Sequence, residues 1–544
     1  MKKSRERRAE SGKILLRPSA FRFSFSAFRS GYTNSLALLM CVTLAVLCVL
    51  VTLLYWISSK EGGSSGSSGA KVQELSMFCA SGMRKVVESV AEEYQRKYGV
   101  RVLLQYGGSN TLLSQIEVSR IGDLYLAADQ SYLELGRNKG LVQEILPLAK
   151  MTTVVGVQRG NPKQIHQLKD LLRDDVRVVL GNHEQAAVGR TTRDELQKTG
   201  DWSALRKRVH QSGVFKPTVG EVANDIKLGS VDAGILWDAV VLQYSDLEMV
   251  RIPELADGAV NVSIGLLSSS KHPAESLRFA RYLSARDRGL QKFTELGYKS
   301  VDGDVWEDVP QLVFFAGSVN RRALEPILER FSRHEGVEID TVYNGCGILT
   351  AQMRTLLQDG NGASNFPDTY MACDRYYLET VKELFQNTHD VSNVPIRLVV
   401  ARGNPKQINS LQDLVRPGVR VAIGQPEQCT IGVLSRRLLE AEGIYQQVLE
   451  HNVVTQTATS SLLVPSITTG SADVALVYAS DTLASGELLD VVPIDSPLAL
   501  AVQPFGVARS SDHKHLSQRL FSEIAKSREQ FEASGFQWQL NGKD

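Results

Sequence analysis

One heptapeptide occurs twice in this sequence, and this repeat constrains the fold more than any other feature. The run Arg-Gly-Asn-Pro-Lys-Gln-Ile occupies residues 159–165 and returns unchanged at residues 402–408. Shorter motifs recur at almost the same separation, among them Gly-Ser-Val-Asp at 229–232 and Gly-Ser-Ala-Asp at 470–473. The repeated unit is therefore about 230 residues long, which is a whole domain and too long for a solenoid repeat. The sequence thus predicts two copies of one domain.

A basic stretch and then an uncharged stretch precede the repeat. Residues 1–35 contain nine Lys and Arg side chains against two Glu, and residues 36–57 contain no charged side chain. The uncharged run is long enough to cross a bilayer as a helix, and its basic flank predicts a cytoplasmic N-terminus. A cleaved secretory signal is the alternative, but the run is longer than a usual signal core and no small-x-small cleavage site follows it. We therefore favour an uncleaved anchor.

The repeat and the anchor together predict the division of the chain. Gly and Ser dominate the residues after the anchor, which is typical of a flexible linker. We expect a single-pass protein of the cytoplasmic (inner) membrane, with its bulk in the periplasm or outside the cell. The predicted segments are a cytoplasmic basic segment at 1–35, a transmembrane helix at 36–57, a linker at 58–72, copy 1 at 73–300, a connection at 301–310 and copy 2 at 311–544.

Net charge and cysteine content constrain the function less strongly. The chain has a net charge of +1 over 544 residues, and its basic head lies directly beside the predicted anchor. Anchoring explains that head, so we expect no nucleic-acid partner. Free thiols are unusual outside the cytoplasm, and copy 2 contains Cys346, Cys373 and Cys429. A disulfide between two of them, or a soft metal bound by them, are alternatives that the sequence leaves open.

In both copies, short apolar strands alternate with amphipathic helical stretches. The first helical stretch of copy 1, for example, keeps its apolar side chains on one face. This alternation predicts an α/β fold with a parallel, doubly wound sheet, arranged in each copy as two lobes joined by crossing strands. The predicted strands are 75–80, 100–106, 124–127, 152–157, 176–180 and 233–237 in copy 1, and 312–316, 337–343, 369–372, 396–401, 419–423 and 474–478 in copy 2.

The strand ends of such a fold predict the position of a ligand site. In open α/β sheets, ligands bind beyond the carboxyl ends of the strands, where helix N-termini converge. At these positions both copies carry hydroxyl side chains and small residues, and neither carries an acid–base pair. Unsatisfied N–H groups at helix starts suit an anion, although a single Ser there is more often only a helix cap. The residues concerned are Ser81, Ser109, 186–189 and 218–219 in copy 1, and Ser318, Cys346, 429–432 and 459–460 in copy 2.

Three motifs in copy 1 resemble one known family. They are Ala-Ser at 80–81, Tyr-Gly-Gly-Ser-Asn-Thr-Leu-Leu-Ser-Gln-Ile at 106–116, and Asp-Leu-Tyr-Leu-Ala-Ala-Asp at 123–129. A fourth, Ala-Gly-Ile-Leu-Trp-Asp, follows at 233–238. The pattern resembles that of the periplasmic molybdate-binding proteins of ABC importers. The resemblance implies two tandem bilobal periplasmic-binding-protein type II domains behind the transmembrane helix.

The resemblance also implies a ligand set in each copy: two Ser hydroxyls, two backbone amides and a Tyr hydroxyl. Copy 1 has Trp in place of the Tyr, and copy 2 has Cys in place of the second Ser; a thiol is a weaker donor than a hydroxyl. The implied ligand-binding residues are Ser81, Ser109, Val188, Val219 and Trp237 in copy 1, and Ser318, Cys346, Ile431, Ser460 and Tyr478 in copy 2.

From this resemblance we expect the protein to capture a tetrahedral oxyanion of the molybdate or tungstate type for an ABC permease in the membrane. We expect no enzyme activity and no cofactor. An extracytoplasmic sensor or scaffold, with one or both clefts degenerate, is the alternative function. A thiol-dependent enzyme built on Cys346 is a third hypothesis. It lacks a nearby base, because His389 and His451 are the closest histidines and neither lies in a predicted cleft loop.

Overall fold

The computed structural model describes residues 74–358 and 366–540. The predicted cytoplasmic segment, transmembrane helix and linker lie outside the described residues. Within the described ranges, no helix is both long and apolar enough to cross a bilayer.

Copy 1 contains ten strands and nine α-helices in its described part. The strands are β1 Glu74–Ala80, β2 Arg101–Gly107, β3 Leu124–Ala127, β4 Val142–Gln158, β5 Val178–Gly181, β6 Val214–Lys216, β7 Ala233–Trp237, β8 Leu247–Val250, β9 Ala259–Leu267 and β10 Lys299–Ser300. The helices are α1 Arg84–Tyr98, α2 Ser109–Ser119, α3 Ser131–Asn138, α4 Ala187–Thr199, α5 Trp202–Ser212, α6 Val219–Lys227, α7 Asp238–Leu242, α8 Pro273–Ser284 and α9 Gly289–Glu295. Short 3-10 turns span Ser81–Met83, Leu168–Leu172 and Pro253–Leu255.

Copy 2 repeats this order with one α-helix fewer among its described residues. The strands are β11 Gln311–Gly317, β12 Glu338–Asn344, β13 Thr369–Met371, β14 Phe385–Ala401, β15 Val421–Gly424, β16 Val453–Thr457, β17 Val474–Tyr478, β18 Leu489–Pro493, β19 Leu500–Ala508 and β20 Gln537–Trp538. The helices are α10 Arg321–Glu335, α11 Cys346–Gln358, α12 Arg375–Glu379, α13 Thr430–Ala441, α14 Tyr445–His451, α15 Leu463–Thr468, α16 Lys514–Ala525 and α17 Arg528–Ala533. The 3-10 turns span Ser318–Asn320, Lys382–Leu384, Leu411–Val415, Ser460–Leu462 and Ala479–Ser485.

The two copies have the same strand order, which fits a duplicated domain. It is β2-β1-β3-β9-β4-β7-β5-β6 in copy 1 and β12-β11-β13-β19-β14-β17-β15-β16 in copy 2. The prediction of a wholly parallel sheet is wrong, because both sheets are mixed. Strands β1, β2 and β3 pair in parallel, as do β5, β6 and β7, whereas β4 and β9 pair antiparallel to their neighbours. The α/β class and the two tandem domains are confirmed.

Strand β4 connects the two lobes of copy 1. Its first part, Val142 to Thr152, pairs with β9, and its second part, Thr153 to Val157, pairs with β7 and β8. The lobe built on β1–β3 (lobe A) and the lobe built on β5–β7 (lobe B) therefore share one continuous strand. Strand β14 has the same role in copy 2. The ligand cleft predicted from the sequence lies between two such lobes.

A buried ion cluster joins the two copies. Glu335 at the end of α10 is fully buried, and its carboxylate accepts hydrogen bonds from Arg281 of copy 1 at 2.9 Å and from Arg519 at 2.6 Å. Burial alone would raise the pKa of Glu335, but Arg519 and Arg281 hold it below its usual value. Burial in turn lowers the pKa of Arg281 to about 10. Since each charge here depends on its partners, the cluster fixes copy 1 against copy 2.

We expect Glu335→Gln to lower the free energy of unfolding by about 3–5 kcal/mol, because it leaves two arginines buried without a counter-charge. The matched control is Glu325→Gln on the same helix, whose partner Arg321 is exposed; such a pair contributes about 0–1 kcal/mol. Chemical denaturation of the three proteins measures both effects.

The pH dependence has a definite sign. Because the pKa of Glu335 is depressed in the folded protein, its contribution is complete above the ordinary Glu pKa and is lost as the pH falls below it. The difference between wild type and Glu335→Gln should therefore shrink on acidification. If wild type and Glu335→Gln were equally stable at neutral pH, the stabilising role of the buried ion cluster would be contradicted.

Candidate anion-binding clefts

The predicted ligand residues of copy 1 all lie around one small cavity between its lobes. Four of them follow the carboxyl end of a strand, and the fifth, Trp237, is the last residue of its strand. The cavity is lined by Ala80, Ser81, Gly82, Gly107, Gly108, Ser109, Ala128, Ala186, Ala187, Val188, Val219 and Trp237. The structure therefore brings together five residues that are separated by up to about two thirds of the copy's length.

Ser109 is held so that its hydroxyl proton is available to a ligand. The side chain is 1% exposed, and its Oγ accepts a hydrogen bond from the Ala128 backbone N–H at 3.2 Å. Because that bond uses a lone pair of the oxygen, the O–H remains free to donate into the cavity. The Tyr125 hydroxyl donates to the Ser109 carbonyl at 2.6 Å and fixes the first residue of α2.

Val188 and Val219 present backbone amides rather than side-chain donors. Helix α4 starts at Ala187 and helix α6 at Val219, so both amides lie in the first turn of a helix. First-turn N–H groups have no acceptor within their own helix. At the start of α4 the cap residue Ala186 has no side-chain acceptor either. These N–H groups are therefore available to an anion at the cavity wall.

No charged side chain lines this cavity. An anion placed there meets two Ser hydroxyls, amide N–H groups and the partial positive charge of helix starts. Trp237 is 1% exposed and closes one wall of the cavity. The chemistry of the site is thus that of oriented neutral dipoles.

The lobes of copy 1 are closed against each other. Across the cleft, the Asn110 amide donates to the Gln185 carbonyl at 3.1 Å, and Arg190 of lobe B pairs with Asp129 of lobe A at 2.9 Å. Gly108 permits this approach, because a Cβ there would lie 2.4 Å from the Gln185 oxygen and 2.6 Å from the Pro217 oxygen. No local sequence pattern predicts the Arg190–Asp129 pair, since the two residues come from different lobes.

Copy 2 places its predicted residues at the same points of the fold. Ser318 follows β11, Cys346 begins α11, Ile431 lies in the first turn of α13, Ser460 begins a 3-10 turn, and Tyr478 ends β17. All of these except Ser318 are at least 97% buried.

The cleft of copy 2 is closed in the same way as that of copy 1. A Cβ on Gly345 would lie 2.4 Å from the Gln428 carbonyl oxygen, and the Gly347 amide donates to that same oxygen at 3.0 Å. Gly345 therefore allows the two lobes of copy 2 to approach each other, as Gly108 does in copy 1.

The cysteines of copy 2 are free thiols in the structure, although two of them touch. The Cys346 and Cys373 sulfurs are 3.1 Å apart, whereas a disulfide requires about 2.05 Å. Cys429 is turned away and donates to the Thr457 carbonyl at 3.4 Å. Among the residues that the structure describes, no group of His, Cys, Asp and Glu is arranged to hold a metal ion. His389 stacks on Phe521 and is not the missing base of a cleft thiol.

Cys373 is already a disulfide or metal candidate from the sequence, and alignment of the copies adds two residues that the sequence analysis missed, Val319 and Asp481. Cys373 takes the place of Ala128, Val319 that of Gly82, and Asp481 that of Val240. Burial raises the pKa of Asp481 to about 7. The two clefts therefore differ in more than the two positions noted in the sequence.

Comparison with known proteins identifies the family of both copies. Residues 75–299 and 312–537 each match the family model of the bacterial extracellular solute-binding proteins. The chain belongs to this family. The molybdate-binding protein ModA of Mycobacterium tuberculosis is 27% identical over 233 residues, which covers 42% of this chain and 84% of that protein. The Escherichia coli ModA is 24% identical over 152 residues, 27% of this chain and 59% of its own length.

Among solved structures, the periplasmic molybdate-binding protein of Azotobacter vinelandii matches with a TM-score of 0.36 and 17% identity, covering 41% of this chain and 98% of that one. A substrate-binding domain of a molybdenum ABC transporter from Clostridium difficile matches with a TM-score of 0.33 and 22% identity, covering 42% and 99%. The description of the family states solute binding.

We expect Gly108→Ala to prevent closure of copy 1 without unfolding it. Gly108 has a φ of −72°, which any residue adopts, so the new methyl group clashes only with the opposite lobe. The backbone N–H of Asn110 donates a hydrogen bond across the cleft, so its hydrogen should then exchange roughly ten-fold faster or more. Hydrogen-exchange mass spectrometry measures this rate.

Gly220→Ala is the matched control, because its nearest neighbour is 4.0 Å away. Unchanged exchange in Gly108→Ala, or equal acceleration in both variants, would show that this glycine does not control closure.

Proposed function

We propose that this protein is an extracytoplasmic solute-binding protein whose copy 1 captures a tetrahedral oxyanion, molybdate or tungstate, for an ABC importer. The proposal includes the inner-membrane anchor predicted at 36–57 and an ABC permease as the partner. The linker at 58–72 would keep the binding domains near that permease and raise their local concentration.

One observation carries the proposal: two Ser hydroxyls and two helix-start amides from both lobes line a single uncharged cavity in copy 1. A rigid set of neutral donors suits a small dianion that is held by direct hydrogen bonds after it has lost its water. Helix starts are well suited to this task because their N–H groups are already oriented. The ModA relatives, whose name states molybdate binding, support the choice of anion.

A hinge between the lobes supplies the capture step. Strands β4 and β9 run between the lobes, so rotation about them would open the cleft and expose the cavity. The Asn110–Gln185 hydrogen bond and the Arg190–Asp129 pair form only when the lobes meet. A bound anion that bridges Ser109 of lobe A and Val188 of lobe B would favour the closed state.

A sensor or scaffold with degenerate clefts is the second candidate, and one observation favours it. Trp237 fills the wall where the family has Tyr, and copy 2 has a thiol in place of the second Ser. A sensor with an empty cleft would show no stabilisation by any oxyanion, which separates the two functions.

We expect molybdate and tungstate to raise the melting temperature of the full-length protein, and Ser109→Ala to weaken this effect. Loss of one hydrogen bond to a charged group costs about 1.5–3 kcal/mol, roughly ten- to a hundred-fold in affinity. Thermal-shift titrations with molybdate, tungstate and sulfate measure the change.

Ser119→Ala at the exposed end of the same helix is the matched control and should bind as wild type does. Absence of stabilisation by all three anions in the wild type would contradict the importer function and favour the second candidate.

A further inference from the structure

The cleft of copy 2 contains a pair of thiols where copy 1 has a hydroxyl and a methyl group. Cys346 stands at the position of Ser109, and its sulfur accepts a hydrogen bond from the Cys373 backbone N–H at 3.2 Å, as Ser109 does from Ala128. The framework is therefore unchanged, and the second thiol of Cys373 is an addition to it. The two sulfurs lie 3.1 Å apart, and both side chains are buried.

This pair makes the cleft a poor site for a dianion. Although burial acts to raise it, hydrogen bonds from Cys373, Thr430 and Tyr370 lower the pKa of Cys346 to about 7. A partly ionised thiol in this pair repels a second negative charge, with little water to screen it. Copy 2 is thus chemically different from copy 1, whose cavity lining carries no ionisable group.

The same cleft holds a buried hydroxyl group without a partner. Tyr478 is completely buried, and its hydroxyl has no hydrogen-bond partner among the described residues. Its neighbours include the Cys373 and Cys346 thiols. A buried polar group left unpaired costs about 1–3 kcal/mol. An unpaired hydroxyl beside the thiol pair therefore favours a ligand that offers a hydroxyl group.

We propose that the cleft of copy 2 binds a neutral trivalent metalloid hydroxide, with arsenous acid as the example, through the Cys346 and Cys373 thiols. In each of two condensations, one thiol S–H and one As–OH bond break, and one S–As bond and one water form. Two waters leave, arsenic keeps its oxidation state, and no oxidant or reductant takes part. The one remaining As–OH group is left for the unpartnered Tyr478 hydroxyl.

Three features favour this ligand over other partners of a thiol pair. The ligand is uncharged, so the ionised thiol does not repel it. The two sulfurs are already adjacent, so attachment of the second thiol is intramolecular and fast. A disulfide, by contrast, needs an oxidant and an approach of the sulfurs by about 1 Å. Cys429 does not join the pair, because its thiol donates a hydrogen bond to the Thr457 carbonyl.

The inference rests on the proposed function only in treating copy 2 as a binding cleft. The test uses the full-length protein, reduced with a phosphine under nitrogen and then exposed to sodium arsenite. Excess arsenite is removed by gel filtration, retained arsenic is measured by elemental mass spectrometry, and alkylation followed by peptide mapping identifies protected thiols. The proteins compared are wild type, Cys346→Ser/Cys373→Ala (which has the residues of copy 1), Cys373→Ala and, as a buried-thiol control, Cys79→Ala.

We expect wild type and Cys79→Ala to retain one arsenic per chain, with Cys346 and Cys373 both protected from alkylation. The two variants that lack Cys373 should bind at least roughly a hundred-fold more weakly, because a bidentate attachment becomes single or absent. Equal retention by those variants, unprotected Cys346 and Cys373 in the wild type, or recovery of the pair as a disulfide would each overturn the proposal.

A molybdate titration of the same samples keeps the two proposals separable. Molybdate stabilisation should persist in Cys346→Ser/Cys373→Ala, because copy 1 is unchanged. Arsenite binding without molybdate stabilisation would overturn only the proposed function of copy 1. Molybdate stabilisation without arsenite retention would overturn only the metalloid site.

Discussion

An anion that has no counter-charge must be held by dipoles that are oriented before it arrives. In copy 1 the cavity lining is uncharged, so the anion binding that we propose would depend on where α2, α4 and α6 begin and in which direction their first N–H groups point. The shared strand β4 fixes the lobes, the Ala128 amide fixes the Ser109 hydroxyl, and Gly108 lets the lobes come together. Each of these contacts orients a neutral donor toward the same small volume.

The two copies share one backbone fold but differ in the side chains that line their clefts. The strand order is identical in the two copies, and so is the close approach of one glycine to the opposite lobe. Within that fold, larger and smaller side chains have exchanged places: Gly82 becomes Val319, while Trp237 becomes the smaller Tyr478. The exchange is in keeping with the close packing of protein interiors, which tolerate swaps that conserve total volume. The buried ion cluster at Glu335 links the two copies.

The sequence predicted the parts of the fold that repeat or that follow a simple period. Strands such as Leu124–Ala127 and Ala233–Trp237 were found with their observed bounds, because they are short apolar runs buried on both faces. Strand β9 and the first ten residues of β4 were missed, since they are antiparallel crossing strands with a bulged register and no clear alternation. Contacts between distant segments, such as Cys346 with Cys373 and Arg281 with Glu335, leave no local pattern, and only the structure shows them.

We propose that copy 1 holds a small oxyanion with neutral donors from both lobes. Anomalous X-ray diffraction from crystals grown with tungstate can test this binding, because tungsten is located without any assumption about the site. We expect one strong peak in the cavity of copy 1, with tungstate oxygens at about 2.7–3.2 Å from the Ser81 and Ser109 hydroxyls and the Val188 and Val219 amides. A peak only at arginine or lysine side chains on the surface, or no peak at all, would contradict it.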